Sequence, residues 1–149
     1  MMWKWLGLLA CVLLAGCSES WGPDSHGKEI TGRELEGQWV LINYWAEWCG
    51  PCRTEVPELN AIDEANGEVT VLGVNFDELQ GQDLVEAAQA LGIRFRVLGT
   101  DPAERLELSR AAVLPVTVIV DPDGRVRESL VGEQTKEGLL ARIDSLRKR

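Results

Sequence analysis

The feature that most constrains the fold of this chain is a Cys-x-x-Cys motif placed between a predicted strand and a predicted helix. The motif, Cys49-Gly50-Pro51-Cys52, follows the β-branched and aromatic run 39–45. A run of this kind predicts a buried strand, and a helical pattern begins at the cysteines. Cys49 would then lie at a helix N-terminus, where unpaired backbone N–H groups and the helix dipole favour a thiolate. Since two thiols at this spacing can close a small disulfide ring, the motif indicates a redox function.

The other two cysteines lie in a segment with the features of a bacterial lipoprotein signal peptide. Residues 1–16 hold one lysine and an apolar run that is short for a membrane-spanning helix. The sequence Leu-Ala-Gly-Cys at 14–17 resembles a lipobox, which predicts lipidation of Cys17. The alternatives are an ordinary secretory signal and a retained membrane anchor. Cys11 would leave with the signal, so only the Cys-x-x-Cys pair remains available for redox chemistry.

The cysteine count and the charge exclude several classes of protein. One remaining pair cannot form a four-thiolate zinc site within one chain. Residue 53 is arginine, so the pair is not a Cys-x-x-Cys-His haem attachment motif, and neither a metal nor a cofactor is expected. The net charge of −9 becomes −10 when residues 1–16, with their single lysine, are removed. A nucleic-acid-binding function is therefore not expected.

The rest of the chain predicts a tether followed by one domain. Residues 17–27, rich in Ser, Gly and Pro, are interpreted as a lipidated tether. One domain is expected, because a chain of 149 residues can form one hydrophobic core but not two. It is expected to follow the tether and to cover 28–149.

Strand and helix signals alternate along this domain. Strands are predicted at 39–45, 69–76, 116–120 and 125–131, the last two joined by a turn at 121–124. Helices are predicted from the cysteines to about 65, at 82–91, from 101 and from about 135. The third helix has an N-cap at Asp101, Pro102 in its first turn and Glu104 three residues after the cap. Together these elements predict an α/β fold of the three-layer α/β/α sandwich type.

Three blocks of the sequence resemble the thioredoxin superfamily, and specifically its periplasmic TlpA/ResA/CcmG-type thiol–disulfide oxidoreductases. They contain Trp-Cys-Gly-Pro-Cys within 43–57, Val-Asn-Phe-Asp-Glu within 71–78, and Leu-Pro-Val-Thr within 114–124. The resemblance covers about 28–147. It implies a thioredoxin fold with an extra strand–helix insertion around 77–100.

The resemblance also implies roles for individual residues. Cys49 is expected to be the nucleophile and Cys52 the resolving thiol, and the two form the redox-active disulfide. Pro115 is expected to be cis, which leaves the backbone of Leu114 open to pair with an extended substrate. The expected docking surface comprises Trp48, Gly50, Pro51 and Leu114.

Glu55 lies one helical turn after Cys52, where members of this branch often carry an acid credited with tuning the cysteines and transferring protons. The alternative is an ordinary surface residue of the helix, and both readings stay open at this point. Asn43 marks a departure from thioredoxins proper, which carry a buried aspartate there. Because an amide cannot accept the proton, Glu55 becomes the stronger candidate for that task.

The expected function is that of a membrane-tethered, extracytoplasmic enzyme that reduces disulfides of exported proteins, with apocytochrome c as one candidate client. An oxidising compartment requires a dedicated donor, so an inner-membrane partner of the DsbD/CcdA type is implied. The chain is expected to be a monomer that faces the periplasm from the inner or outer membrane. The alternatives are a thiol oxidase or isomerase, and a non-catalytic thioredoxin-fold binding lipoprotein.

Overall fold

A five-stranded mixed β-sheet forms the centre of the structure. The computed structural model describes residues 19–65 and 67–149, so the predicted signal peptide and Cys17 lie outside the described residues. The strands are β1 (Ser20–Pro23), β2 (Glu29–Thr31), β3 (Trp39–Trp45), β4 (Val69–Asn75), β5 (Arg96–Leu98), β6 (Val116–Val120) and β7 (Val126–Val131). The helices are α1 (Gly32–Leu35), α2 (Gly50–Asp63), α3 (Gly81–Ala90) and α4 (Lys136–Arg147). Within the described ranges, no helix is both long enough and apolar enough to cross a membrane.

Strand β3 lies in the middle of this sheet, whose strand order is β5-β4-β3-β6-β7. It pairs in parallel with β4 and antiparallel with β6, and every one of its residues is buried. A strand with a neighbour on each side and cover on both faces has no position that faces water, which explains its unbroken apolar sequence. The Cys-x-x-Cys motif follows β3 at the edge of the sheet where β4 also ends.

Helices cover one face of the sheet. Side chains of α2 and α4 form an apolar cluster with Leu41 and Ile119, and side chains of α3 form a second one with Trp45 and Val97. The opposite face is covered by α1, the β1–β2 ribbon and the segment 101–114. The predicted α/β architecture is confirmed, and so is the insertion, which consists of α3 and β5.

Residues 20–27, predicted as part of a tether, are folded against the domain. β1 pairs with β2, and Trp21 packs against the apolar cluster beneath the ribbon. The buried carboxylate of Asp24 accepts hydrogen bonds from two backbone N–H groups of the turn and pairs with Arg96 at 2.9 Å. The polar composition of this segment did not predict that Trp21 and Asp24 would attach it to the domain. Residues 20–27 are therefore part of the folded unit, and the boundary predicted at residue 28 does not separate a tether from the domain.

The prediction of a helix from Asp101 was wrong, because the chain forms turns there. Asp101 caps the first turn but also accepts a hydrogen bond from the hydroxyl of Tyr44 at 2.7 Å, which fixes the segment to the sheet. Leu106 and Leu108 both pack against the sheet cluster, and a spacing of two residues does not fit one face of a helix. Glu107 then adopts a left-handed conformation with φ of 54°, which ends the turn.

Candidate active site

The Cys-x-x-Cys motif forms the first turn of α2. Cys49 is the N-cap, and Pro51 stands in the first turn, where its missing N–H leaves no helical bond unmade. The Sγ atom of Cys49 accepts a hydrogen bond from the N–H of Cys52 at 3.2 Å, and the two residues are joined by a disulfide. Such an N–H at a helix N-terminus stabilises negative charge on the sulfur once the disulfide is reduced. Cys49 is 4% exposed and Cys52 1%, so Cys49 lies closer to solvent.

A cis-proline segment, Leu114–Pro115, directly precedes β6. The Leu114–Pro115 peptide bond is cis, as the resemblance implies. Pro115 is buried and its carbonyl accepts a hydrogen bond from the N–H of Gly132 at 2.8 Å. The half-buried Leu114 packs against the cluster that contains both cysteines. Within the described part of the chain, the backbone of Leu114 forms no hydrogen bond, so it is available to an incoming strand.

Glu55 lies at the centre of a buried polar cluster. Its carboxylate accepts hydrogen bonds from the Asn43 amide at 3.0 Å, the Thr117 hydroxyl at 3.3 Å and the backbone N–H of Gln134 at 3.2 Å. The side chain is 1% exposed. Burial raises the pKa of Glu55 to about 7, although the hydrogen bonds, that of Asn43 above all, act in the opposite direction. Because Glu55 is buried, the interpretation of Glu55 as an ordinary helix surface residue is wrong. Asn43 lies beside its carboxylate.

An aromatic pair borders the cysteines on the solvent side. Trp48 is 66% exposed and contacts Phe76 edge-to-face, with ring centroids 6.1 Å apart. Its indole N–H donates to the Asp77 carboxylate at 2.9 Å. Gly50 and Pro51, which follow within the same motif, are also exposed. Trp48 therefore has a fixed orientation despite its exposure.

Sequence reasoning missed three members of this site, namely Thr117, Gln134 and Phe76. Thr117 left a signal, since it is the one polar residue in the apolar run of β6. Phe76 was included in the predicted strand 69–76, but β4 ends one residue earlier and Phe76 is free to meet Trp48. Gln134 contributes a backbone N–H, which leaves no trace in a sequence. Among the residues that the structure describes, no three His, Cys, Asp or Glu side chains are grouped so as to hold a metal ion.

Comparison with known proteins identifies the family to which this chain belongs. The model of the AhpC/TSA family matches residues 18–129. The chain belongs to the AhpC/TSA family. The thiol-disulfide oxidoreductase ResA of Bacillus thuringiensis (strain Al Hakam) is 31% identical to it over 120 residues, which covers 78% of this chain and 68% of the relative. The thiol:disulfide interchange protein HelX of Rhodobacter capsulatus is 32% identical over 112 residues, covering 74% of this chain and 62% of HelX.

A solved structure supports the same assignment. A secreted thiol-disulfide isomerase from Corynebacterium glutamicum superposes with a TM-score of 0.67 at 27% identity, covering 83% of this chain and 80% of that one. The resemblance to ResA-type proteins and the predicted thioredoxin fold are thus confirmed. This member of the AhpC/TSA family is a thiol–disulfide oxidoreductase, and its cysteine pair is Cys49 and Cys52.

Proposed function

We propose that this protein is an extracytoplasmic protein-disulfide reductase in which Cys49 is the nucleophile. The observation that carries the proposal is the position of the Cys49 sulfur. It caps α2, accepts the N–H of Cys52 and belongs to the more exposed of the two cysteines, which follows the exposed Trp48. A sulfur in this position is stabilised as a thiolate, and the thiolate is the form that attacks disulfides.

The reaction follows from the two sulfurs of the reduced protein. The Cys49 thiolate attacks one sulfur of the substrate disulfide, and the other substrate sulfur leaves as a thiolate and takes up a proton. Cys52 then loses its proton and attacks Cys49 in the mixed disulfide, which releases the second substrate thiolate and closes the Cys49–Cys52 disulfide. Two electrons pass from the dithiol to the substrate.

Glu55 is proposed to accept the proton of Cys52. It lies one turn further along α2, and its pKa of about 7 places it between its two protonation states near neutral pH. A carboxylate with an ordinary pKa would bind the proton too weakly for this transfer. The amide of Asn43 donates to Glu55 and holds it in place.

Substrate is proposed to bind as an extended strand along Leu114, whose free backbone offers one N–H and one C=O. Trp48, Gly50 and Pro51 would contact the residues on either side of the substrate disulfide. Pro115 lacks an N–H and its carbonyl is already bonded to Gly132, so pairing at this edge would rest on Leu114.

The direction of electron flow and the location complete the proposal. A lipid on Cys17 would hold the protein at the membrane as a periplasm-facing monomer, and since β1 begins at Ser20, the domain would lie close to the bilayer. A DsbD/CcdA-type donor would keep the dithiol reduced, and apocytochrome c is one candidate client. The Gly-Pro pair between the cysteines, shared with thioredoxin, favours a reducing potential. Thiol oxidation or isomerisation, and passive binding, are the alternatives.

Two measurements test the proposal. Equilibration with glutathione should give a reduction potential closer to that of thioredoxin, about −270 mV, than to that of DsbA, about −120 mV. The reduced protein should reduce insulin disulfides, and Cys49→Ser should abolish this activity. A potential near that of DsbA would refute the reducing direction, and equal activity in Cys49→Ser would favour a passive scaffold. Detergent partitioning of the wild type and Cys17→Ala tests the lipid anchor separately.

A further inference from the structure

Arg110 connects the cis-proline segment to the turn that follows β4. Its guanidinium pairs with Glu78 at 3.0 Å and donates to the carbonyl of Phe76 at 3.3 Å. It also lies over the Phe76 ring, 5.9 Å from the ring centroid. A planar guanidinium with five N–H donors is well suited to make an ion pair, a hydrogen bond and a ring contact at once. Arg110 lies four residues before Leu114, so it links the proposed substrate-pairing backbone to this turn.

Residues of the same turn also hold the Trp48 side chain in place. Phe76 meets the Trp48 ring edge-to-face, and Asp77 accepts the indole N–H. Residues 76–78 therefore lie between the aromatic side chain next to Cys49 and the segment that ends in the cis proline. A change in the conformation of this turn would shift both sides of the docking surface.

The turn has a backbone conformation that its own sequence does not favour. Glu78 has φ of 58°, in the left-handed region that non-glycine residues rarely adopt. Its N–H donates to the carbonyl of Asn75 at 3.2 Å, and its side chain pairs with Arg110. These two interactions hold the residue in place.

We propose that Arg110 is a positioning residue that fixes the docking surface for protein disulfides. It holds the turn 76–78, and through Phe76 it holds Trp48, in the orientation that an extended polypeptide meets. A small disulfide needs only the Cys49 sulfur and does not use this surface. The proposal rests on the docking roles proposed for Trp48 and Leu114.

The chain offers a matched control in Arg105, which lies on the same 101–114 segment. Arg105 pairs with Glu19 at 2.9 Å, donates to the carbonyl of Ser20 at 2.8 Å and lies 4.9 Å from the Trp21 ring centroid. It thus makes the same three kinds of contact as Arg110, but to β1 and not to the turn 76–78. Arg105→Ala removes equivalent surface interactions away from the cysteines.

The experiment compares protein and small-molecule substrates with the full chain in its reduced form. Arg110→Ala should lower kcat/KM for insulin about three- to tenfold through KM, the range expected from one exposed cation–π contact and one exposed ion pair. Its rate with 5,5′-dithiobis(2-nitrobenzoate) should stay within about twofold of wild type. The kcat/KM of Arg110→Lys for insulin should lie between the values of wild type and Arg110→Ala. Arg105→Ala should match wild type with both substrates. In a Trp48→Ala background, Arg110→Ala should cost less than it does in the wild type, because the part of its effect that passes through Trp48 is already lost.

Three results would overturn the proposal: equal insulin kinetics for the Ala variants of Arg110 and Arg105, parallel losses with both substrates, or full additivity with Trp48→Ala. If Arg110→Ala does not fold, Glu78→Gln removes the same ion pair and should lower kcat/KM for insulin in the same direction by up to about fivefold, since the ring contact of Arg110 remains. A wild type that fails to reduce insulin would refute the reductase direction alone. The comparison is then made with the oxidised protein, a dithiol peptide and dithiothreitol, where Arg110→Ala must still slow only the peptide reaction.

Discussion

The buried carboxyl group of Glu55 should make the stability of this protein fall as the pH rises through neutrality. Its pKa rises from an ordinary 4.5 to about 7 in the folded state because burial disfavours the charged form. Between these two values the folded state binds a proton that the unfolded state has lost. Stability contributed by the protonated form is therefore complete below about pH 4.5 and is lost progressively as the pH rises to about 7.

The size of the effect follows from the two pKa values. A difference of 7 − 4.5, or 2.5 units, corresponds to about 3 kcal/mol, since one unit corresponds to about 1.4 kcal/mol. At 1% exposure, solvent screening reduces this value little. Part of the loss has already occurred by pH 5, so about 2 to 3 kcal/mol remains to be lost between pH 5 and pH 8.

The substitution that isolates this effect is Glu55→Gln, which keeps the shape and removes the charge. One carboxylate oxygen accepts from Gln134 and the other from Asn43, and an amide keeps only one of these two acceptor oxygens. Asn43 can adapt to the new amide, because its Oδ1 atom is buried without a hydrogen-bond partner and can accept from it after a flip. We therefore expect the variant to fold.

Urea unfolding of the oxidised protein, followed by circular dichroism at pH 5, 6, 7 and 8, measures the prediction. Glu55→Gln should be at least as stable as wild type at pH 8, and its advantage over wild type should grow by about 2 to 3 kcal/mol from pH 5 to pH 8. The difference between the two proteins cancels the titration of groups that they share. A difference that is constant across this range would show that Glu55 titrates normally, and the proton-acceptor role would lose its physical basis.

Three further predictions concern stability; the first two are measured by urea unfolding at pH 7 and the third by limited proteolysis. Gly73→Ala should destabilise by about 1 to 3 kcal/mol, because its Cβ would lie 2.9 Å from Trp45 Nε1, whereas Gly67→Ala, with open space around it, should be neutral. Tyr44→Phe should cost about 1.5 to 3 kcal/mol by removing the hydrogen bond to the Asp101 carboxylate. Asp24→Ala should loosen the β1–β2 ribbon and speed its cleavage in limited proteolysis, with Asp123→Ala as an exposed control. These accounts would be contradicted if the Gly73 and Gly67 variants were equally stable, or if Tyr44→Phe unfolded with the same free energy as wild type. They would also be contradicted if Asp24→Ala were cleaved at the wild-type rate.

The sheet and the cysteine helix were predictable because their signals are local. The runs at 39–45 and 116–120 are apolar at nearly every position, as buried central strands must be. The start of α2 is marked by residues that cap a helix with their own atoms, and the Cys49 sulfur does so in the structure. Signals of this kind need no knowledge of the rest of the fold.

The features that sequence reasoning missed all depend on contacts between distant segments. Gln134 reaches Glu55 across 79 residues through a backbone N–H, which any residue type could supply. The signals at Asp101 predict a helix start, but its side chain also binds Tyr44, 57 residues earlier. Trp21 and Asp24 lie in a stretch whose polar composition suggests a tether. At Asp101 and in the segment 20–27 tertiary packing overrode the local signal, whereas Gln134 left no local signal at all.

The site therefore has two parts that should respond differently to substitution. The cysteines and Glu55 lie on α2, which packs against the buried central strand, so changes there should alter stability together with the proton transfer proposed for Glu55. The turn 76–78 and Arg110 lie in loops at the surface, held by ion pairs and ring contacts of modest strength. Changes there should leave the chemistry of Cys49 intact and alter which disulfides reach it. A variant of Glu55 that changed only substrate preference, or one of Arg110 that changed only the pH dependence, would show that this division is wrong.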